Sequence, residues 1–146
     1  FIYLLTYLVP KQKNKFIFGS SLGKKYCDNS RYLFEYIYKN QKSHKNMPKI
    51  NAIWITKNRN IIKKLRDQGY KCHYYLSIKG IWHTLSAQRI YVTHYKTDIN
   101  RLLINTRTQV INLWHGIPLK KIEYDQNSES FGHLPFLAWI RHESIV

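Results

Sequence analysis

The segment Asn112-Leu-Trp-His-Gly-Ile-Pro-Leu-Lys-Lys121 gathers the side chains best suited to chemistry. An apolar run delivers His115 to a turn. A histidine titrates near neutral pH, so it can take a proton from a hydroxyl. Gly116 lets the backbone turn sharply and lets a substrate approach closely. Pro118 fixes the chain after the turn. Lys120 and Lys121 put two cations beside the histidine, where they can hold a phosphate or steady charge developing on one. The same spacing also suits a histidine that is merely hydrogen-bonded inside a turn.

A second candidate is Gly19-Ser-Ser-Leu-Gly-Lys24. It fails as a nucleotide phosphate loop: the second glycine comes one residue early, and Lys25 follows where Ser or Thr is required. It reads either as an open loop lining a substrate cleft, with Gly19 and Gly23 in contact, or as a simple strand-to-helix turn. Asp28 and Asn29 read as helix caps in preference to substrate ligands. His44, His73, His83, His94, His133 and His142 show no paired metal spacing. Of these, His94 falls at a strand end and could face a cleft. No Asp-x-Asp motif is present to hold a metal-bound nucleotide. Neither a metal nor a cofactor is expected.

Alternating strands and helices must position these residues. Phe16–Phe18 is a short buried strand after a basic connector, Lys11 to Lys15. Tyr32, Leu33, Tyr36 and Ile37 recur at helical spacing, with Asp28, Asn29 and Ser30 as N-cap candidates. Gln41 to Pro48 is polar and reads as a loop. Ile50 to Thr56 is a second strand. Ile61, Ile62 and Leu65 give a helical face that Gly69 stops. Cys72 to Leu76 is a third strand, and Ser77 can cap a helix whose Ile78, Ile81, Trp82 and Leu85 form an apolar stripe. Arg89 to Thr93 and Val110 to Trp114 complete five strands.

This alternation predicts an α/β fold: a Rossmann-like parallel sheet flanked by helices and joined by right-handed crossovers. Ligands in such sheets sit beyond the carboxyl ends of the strands. Gly19, Ser20, Thr56, Ser77, His94 and His115 fall there.

The 146 residues hold 24 Lys plus Arg against 8 Asp plus Glu, a formal charge of +16. That excess predicts a polyanionic neighbour: nucleic acid, an anionic membrane surface or a phosphate-rich substrate. The basic runs Lys11 to Lys15, Lys42 to Lys49 and Lys57 to Lys64 read as solvated faces. Cys27 and Cys72 stand far apart and suggest neither a disulfide framework nor a zinc site. Phe1 to Val9 is apolar but far shorter than the ~20 residues of a membrane span. The chain starts in mid-pattern at Phe1 and reads as a fragment.

Trp114-His-Gly-Ile-Pro-Leu-Lys-Lys121 resembles the WHGTPLKK signature of the CDP-glycerol glycerophosphotransferase family, with Ile117 where Thr is usual. Phe18 to Phe34 resembles the family's opening strand and its Asp-Asn-Ser turn. A weaker block runs from Ile53 to Gly69, then Ser77 and Leu85 to Ala87. The blocks keep family order from Leu4 to Asp125. The resemblance implies the N-terminal half of a GT-B-like two-domain transferase. Residues 1–14 would be a lead-in, 15–125 the acceptor-side domain and 126–146 an interdomain or incomplete C-terminal segment. It implies that His115 is the general base on an acceptor hydroxyl; Gly19, Gly23, Gly116, Lys120 and Lys121 are the expected substrate contacts beside it. It implies a CDP-glycerol or CDP-ribitol donor and a lipid-linked polyol-phosphate or saccharide acceptor. The enzyme would then sit peripherally on the cytoplasmic face of an anionic membrane. Ile117 removes a hydroxyl beside the site, which bears on substrate preference and not on the fold. The fragment lacks the family's nucleotide-binding motifs and is expected to be inactive alone.

Two other readings compete. The charge and 12 tyrosines also fit a nucleic-acid-binding module that stacks bases on exposed aromatics. A non-catalytic remnant would keep the fold alone. Aromatics packed under the helices would argue against the first.

Overall fold

In a parallel sheet covered on both faces, each strand becomes a near-continuous apolar run. Phe16-Ile-Phe18 and Ala52-Ile-Trp-Ile55 are such runs, and they form the middle of the sheet. The computed structural model describes residues 6–43 and 48–114, with side chains at 6–41 and 48–114. The strands are β1 (Gln12–Phe18), β2 (Asn51–Thr56), β3 (Cys72–Tyr74), β4 (Ala87–Val92) and β5 (Gln109–Asn112). All are parallel, in the order β3-β2-β1-β4-β5. Three helices lie in the connections: α1 (Asp28–Ser43), α2 (Arg59–Asp67) and α3 (Ile78–Ser86).

Side chains alternate across the sheet. Phe16, Phe18, Ala52 and Trp54 join Phe34 and Ile37 of α1 and Ile62 and Leu65 of α2 in one core. Ile17, Ile53, Ile55, Ile90 and Val92 meet Ile99 and Ile104 on the opposite face. The first core is largely aromatic. The Phe34 ring lies 4.9–6.3 Å from those of Phe18, Tyr26, Tyr38, Trp54 and Tyr70. Tyr26, Tyr38, Tyr70 and Tyr91 therefore serve packing, although Tyr32 and Tyr36 of α1 remain exposed. Packing thus accounts for many of the aromatics that suggested a base-stacking platform.

Local signals behave as their chemistry requires. Ser77 caps α3 by accepting from the Gly80 amide at 3.0 Å. Gly69 follows α2 with φ +80°, the left-handed conformation that ends a helix.

Several expectations need correction. The supposed connector Gln12–Lys15 is the first half of β1, and Lys15 is 2% exposed. The Lys15 Nζ donates to Ser86 Oγ at 2.7 Å, and the Lys11 Nζ donates to Leu85 O at 2.7 Å and Thr108 Oγ1 at 2.6 Å. Both ammonium groups gather at the end of α3, where unpaired carbonyls attract cations. They are not a solvated face. Gln41 to Ser43 belong to α1 and not to the expected loop, whose residues 44–47 lie outside the described residues.

The apolar stripe of α3 is not its buried face. Ile78 is 88% exposed and Trp82 48%, whereas Gly80 and Thr84 are buried. Small residues let the helix lie close to the sheet, and Thr84 Oγ1 folds back onto Gly80 O at 2.8 Å.

Candidate active site

The chain winds outward from β1 to β2 to β3, then places β4 on the other flank of β1. The connections leaving β1 and β4 therefore part at their carboxyl ends, where open α/β sheets bind ligands. Asp98 bridges these two connections and is fully buried. Its Oδ1 accepts from the Leu22 amide at 2.7 Å, and its Oδ2 from the Thr93 and His94 amides at 2.9 and 3.1 Å. Three amides on one carboxylate replace the water it has lost.

Gly19 and Gly23 are small because this bridge lies directly on them. A β-carbon on Gly19 would come 2.8 Å from Ile99 Cγ1, and one on Gly23 would come 2.8 Å from Asp98 O. Gly23 also has φ +78°, which favours glycine on its own account. The Gly23 carbonyl accepts from Thr56 Oγ1 at 2.8 Å and from the Lys57 amide at 2.7 Å. The loop after β1 is thereby fastened to the end of β2.

His94 lies at the same edge, two residues past β4, and is partly exposed. Its Nδ1 is 3.1 Å from Thr93 Oγ1 and 4.0 Å from Asp98 Oδ1. The Asn112 side-chain amide donates to the His94 carbonyl at 3.0 Å, which ties the ends of β4 and β5 together. Asn112 Oδ1 also accepts from the Trp114 amide at 3.0 Å. From the start of α1, the Asn29 side-chain amide donates to the carbonyls of Leu113 and Trp114 at 2.8 and 3.0 Å. Asn29 thus bonds to the β5 connection and not to its own helix. Ser30 Oγ is buried with no hydrogen-bond partner among the described residues, so it does not cap α1 either.

Backbone strain collects here. Among the described residues, the non-glycine residues with positive φ are Ser21, Leu22, Asp28 and Trp114, and all lie on this edge. Such conformations cost about 1–3 kcal/mol each and persist where surrounding contacts over-determine them.

A basic groove of about 590 Å³ opens beside the loop after β1, lined by Lys24, Lys25, Arg31 and Lys64. Its acid, Glu35, is held by Arg31 at 2.8 Å and by the Tyr26 hydroxyl at 3.0 Å. The Arg31 hydrogen bond keeps the Glu35 carboxyl below the usual range. No group of three or more His, Cys, Asp or Glu among the described residues could hold a metal ion.

The edge thus brings together Gly19, Gly23, His94, Asn29, Asp98 and Asn112. His115, Gly116, Lys120 and Lys121 lie outside the described residues, as does the segment 126–146. Sequence reasoning missed Asp98 and Asn112 and misassigned Asn29. An asparagine two residues before a turn was a usable signal for Asn112.

Residues 1–136 match the model of the family CDP-Glycerol:Poly(glycerophosphate) glycerophosphotransferase. The chain belongs to this family. It is 29% identical over 130 residues to the teichoic acid poly(glycerol phosphate) polymerase of Bacillus spizizenii, covering 88% of this chain and 30% of that protein. Structures of the wall teichoic acid polymerase TagF share its fold. A histidine-to-asparagine TagF variant soaked with CDPG gives a TM-score of 0.62 at 19% identity, over 96% of this chain and 33% of that one. Another TagF structure gives 0.55 at 20% identity, over 86% and 29%. This glycerophosphotransferase-family chain spans about a third of the length of these relatives.

Proposed function

We propose that the chain forms the acceptor-side, N-terminal half of a GT-B-like two-domain transferase. The reaction moves glycerol phosphate, or a related polyol phosphate such as ribitol phosphate, from a CDP-activated donor to a teichoic-acid-like or capsular polymer precursor. The observation that carries this reading is the family match, which runs through residues 1–136 and includes the Trp114–Lys121 segment. The chain's share of its relatives, about a third, supports a further domain that binds the nucleotide.

In this reading His115 takes the proton of the acceptor hydroxyl. The hydroxyl oxygen bonds to the β-phosphorus of CDP-glycerol, the bond to the bridging oxygen breaks, and CMP leaves with that electron pair. Lys120 and Lys121 steady the phosphate charge. Gly116 lets backbone approach the substrate, Gly19 and Gly23 shape the loop that lines the cleft by admitting the Asp98 segment against it, and residues 15–125 make the acceptor side of the cleft. The groove of Lys24, Lys25, Arg31 and Lys64 suits a phosphate-bearing acceptor. The acceptor is lipid-linked, and the enzyme lies peripherally on the cytoplasmic face of an anionic membrane. The +16 charge and the exposed Ile78 and Trp82 support that placement.

The test is CMP release from CDP-glycerol by the full-length protein with a lipid-linked acceptor, beside His115→Ala. Release that vanishes in the variant supports both the reaction and the base. Full release in the variant keeps the reaction and removes His115 from it. No release from CDP-glycerol or CDP-ribitol overturns the reading in favour of a non-catalytic remnant.

A further inference from the structure

The left-handed backbone of Trp114 needs an explanation that the proposed chemistry does not supply. Its φ is +56°, uncommon for any residue with a β-carbon and costly for a bulky one. Two asparagines hold it there. Asn112 Oδ1 accepts from the Trp114 amide at 3.0 Å, closing a turn over Leu113. The other end of the Asn112 amide is anchored on the His94 carbonyl at 3.0 Å, so this side chain cannot rotate without losing both bonds. Asn29 reaches across from α1 and donates to the carbonyls of Leu113 and Trp114 together, at 2.8 and 3.0 Å. A peptide unit is planar. Holding the Trp114 carbonyl therefore fixes the plane of the bond that leads into residue 115.

We propose that Asn29, acting with Asn112, is a positioning residue: it clamps the left-handed turn at Trp114 and so sets the direction in which the chain enters His115. This rests on the reading of His115 as the base. Asn29 makes no bond to its own helix among those the structure shows, and its exposed position gives it no part in the core. Its function is then to join α1, whose Phe34 sits in the aromatic core, to the connection that bears the reacting group. A base must lie within hydrogen-bond reach of the proton it takes, and a misplacement of about 1 Å can cost about 100-fold in rate.

The experiment uses the full-length protein with Asn29→Ala, Asn29→Asp and His115→Ala. Asn29→Ala is expected to lower kcat for CMP release by about 10- to 100-fold, with little change in the KM for CDP-glycerol and an unchanged melting temperature. Hydrogen exchange should quicken in the peptide that contains Leu113 and Trp114. Asn29→Asp turns a donor into an acceptor facing two carbonyls, so it should be no better than alanine. Wild-type kcat in Asn29→Ala overturns the proposal, provided His115→Ala is dead. A fall in kcat with unchanged exchange at Leu113 and Trp114 also overturns it. Full activity in His115→Ala instead removes the base on which the proposal rests, whatever Asn29→Ala shows.

Discussion

Asp98 and His83 show how single side chains set the stability of this chain. Asp98 takes three backbone amides and has none of its surface in water. Asn in its place offers one acceptor and an NH2 group, so at least one amide faces a donor. Asp98→Asn should cost ~2–3 kcal/mol, read from the urea midpoint, and should loosen the loops after β1 and β4 together. His83 of α3 stacks on His73 at 5.1 Å, and its Nδ1 is buried without a hydrogen-bond partner among the described residues. Burial, with Lys15 next in importance and then His73, Lys71 and Lys79, pulls its pKa from 6.5 down to about 4. The unfolded imidazole thus binds a proton near pH 6.5 and the folded one resists until about pH 4. His83 therefore favours the folded state fully above that upper value, and its contribution is lost as the pH falls through the window. Urea titrations across this range should show a shallower fall for His83→Gln than for the parent.

Helix α3 carries the lesson about elements. Gly80 is buried against the β3–α3 turn, where a methyl group would overlap the Tyr74 carbonyl oxygen. Propensity alone predicts that Gly80→Ala gains ~1 kcal/mol. The overlap predicts a net loss of ~1–3 kcal/mol instead, measurable by thermal melting. The same geometry explains why the apolar stripe of Ile78, Ile81, Trp82 and Leu85 misled the sequence reading. Periodicity finds large apolar residues, whereas this helix approaches the sheet through small ones. Strands β1, β2, β4 and β5 were legible because Val, Ile, Phe and Trp cluster between turn residues, β3 because Cys72, Tyr74 and Tyr75 stand between Gly69 and Ser77, and their parallel direction followed from the alternation with helices. Lys15 was not legible as buried, since nothing in a lysine-rich run marks the one residue that shares a face with Ile17. Gly19 and Gly23 were visible as a loop, but the Asp98 segment that packs on them lies far along the chain. The Asn29 bonds and the Asn112–His94 bond are likewise long-range.

On the scale of the whole molecule, the charge and the exposed face of α3 act together. Each Lys or Arg near an anionic bilayer contributes ~1 kcal/mol, and a screened attraction of this kind weakens with salt. The full-length protein should sediment with vesicles containing anionic lipid at low salt and come off at high salt. Trp82→Ser should weaken that binding without changing the urea midpoint, because Trp82 is half exposed. The position of β1 in the middle of the sheet also has a kinetic consequence. Ile17 pairs with Ile53 on one side and with Ile90 on the other, and Ile90 is made much later. A chain growing from its N-terminus can zip β1, β2 and β3 while the other flank of β1 stays open. Docking of β4 then closes the longest loop and should limit the rate, on the millisecond-to-second scale of non-local pairing. Ile90→Val would slow refolding if this docking is the barrier, and would speed only unfolding if β4 arrives after it. The strand synthesised first of these five would then be among the last to have both of its neighbours.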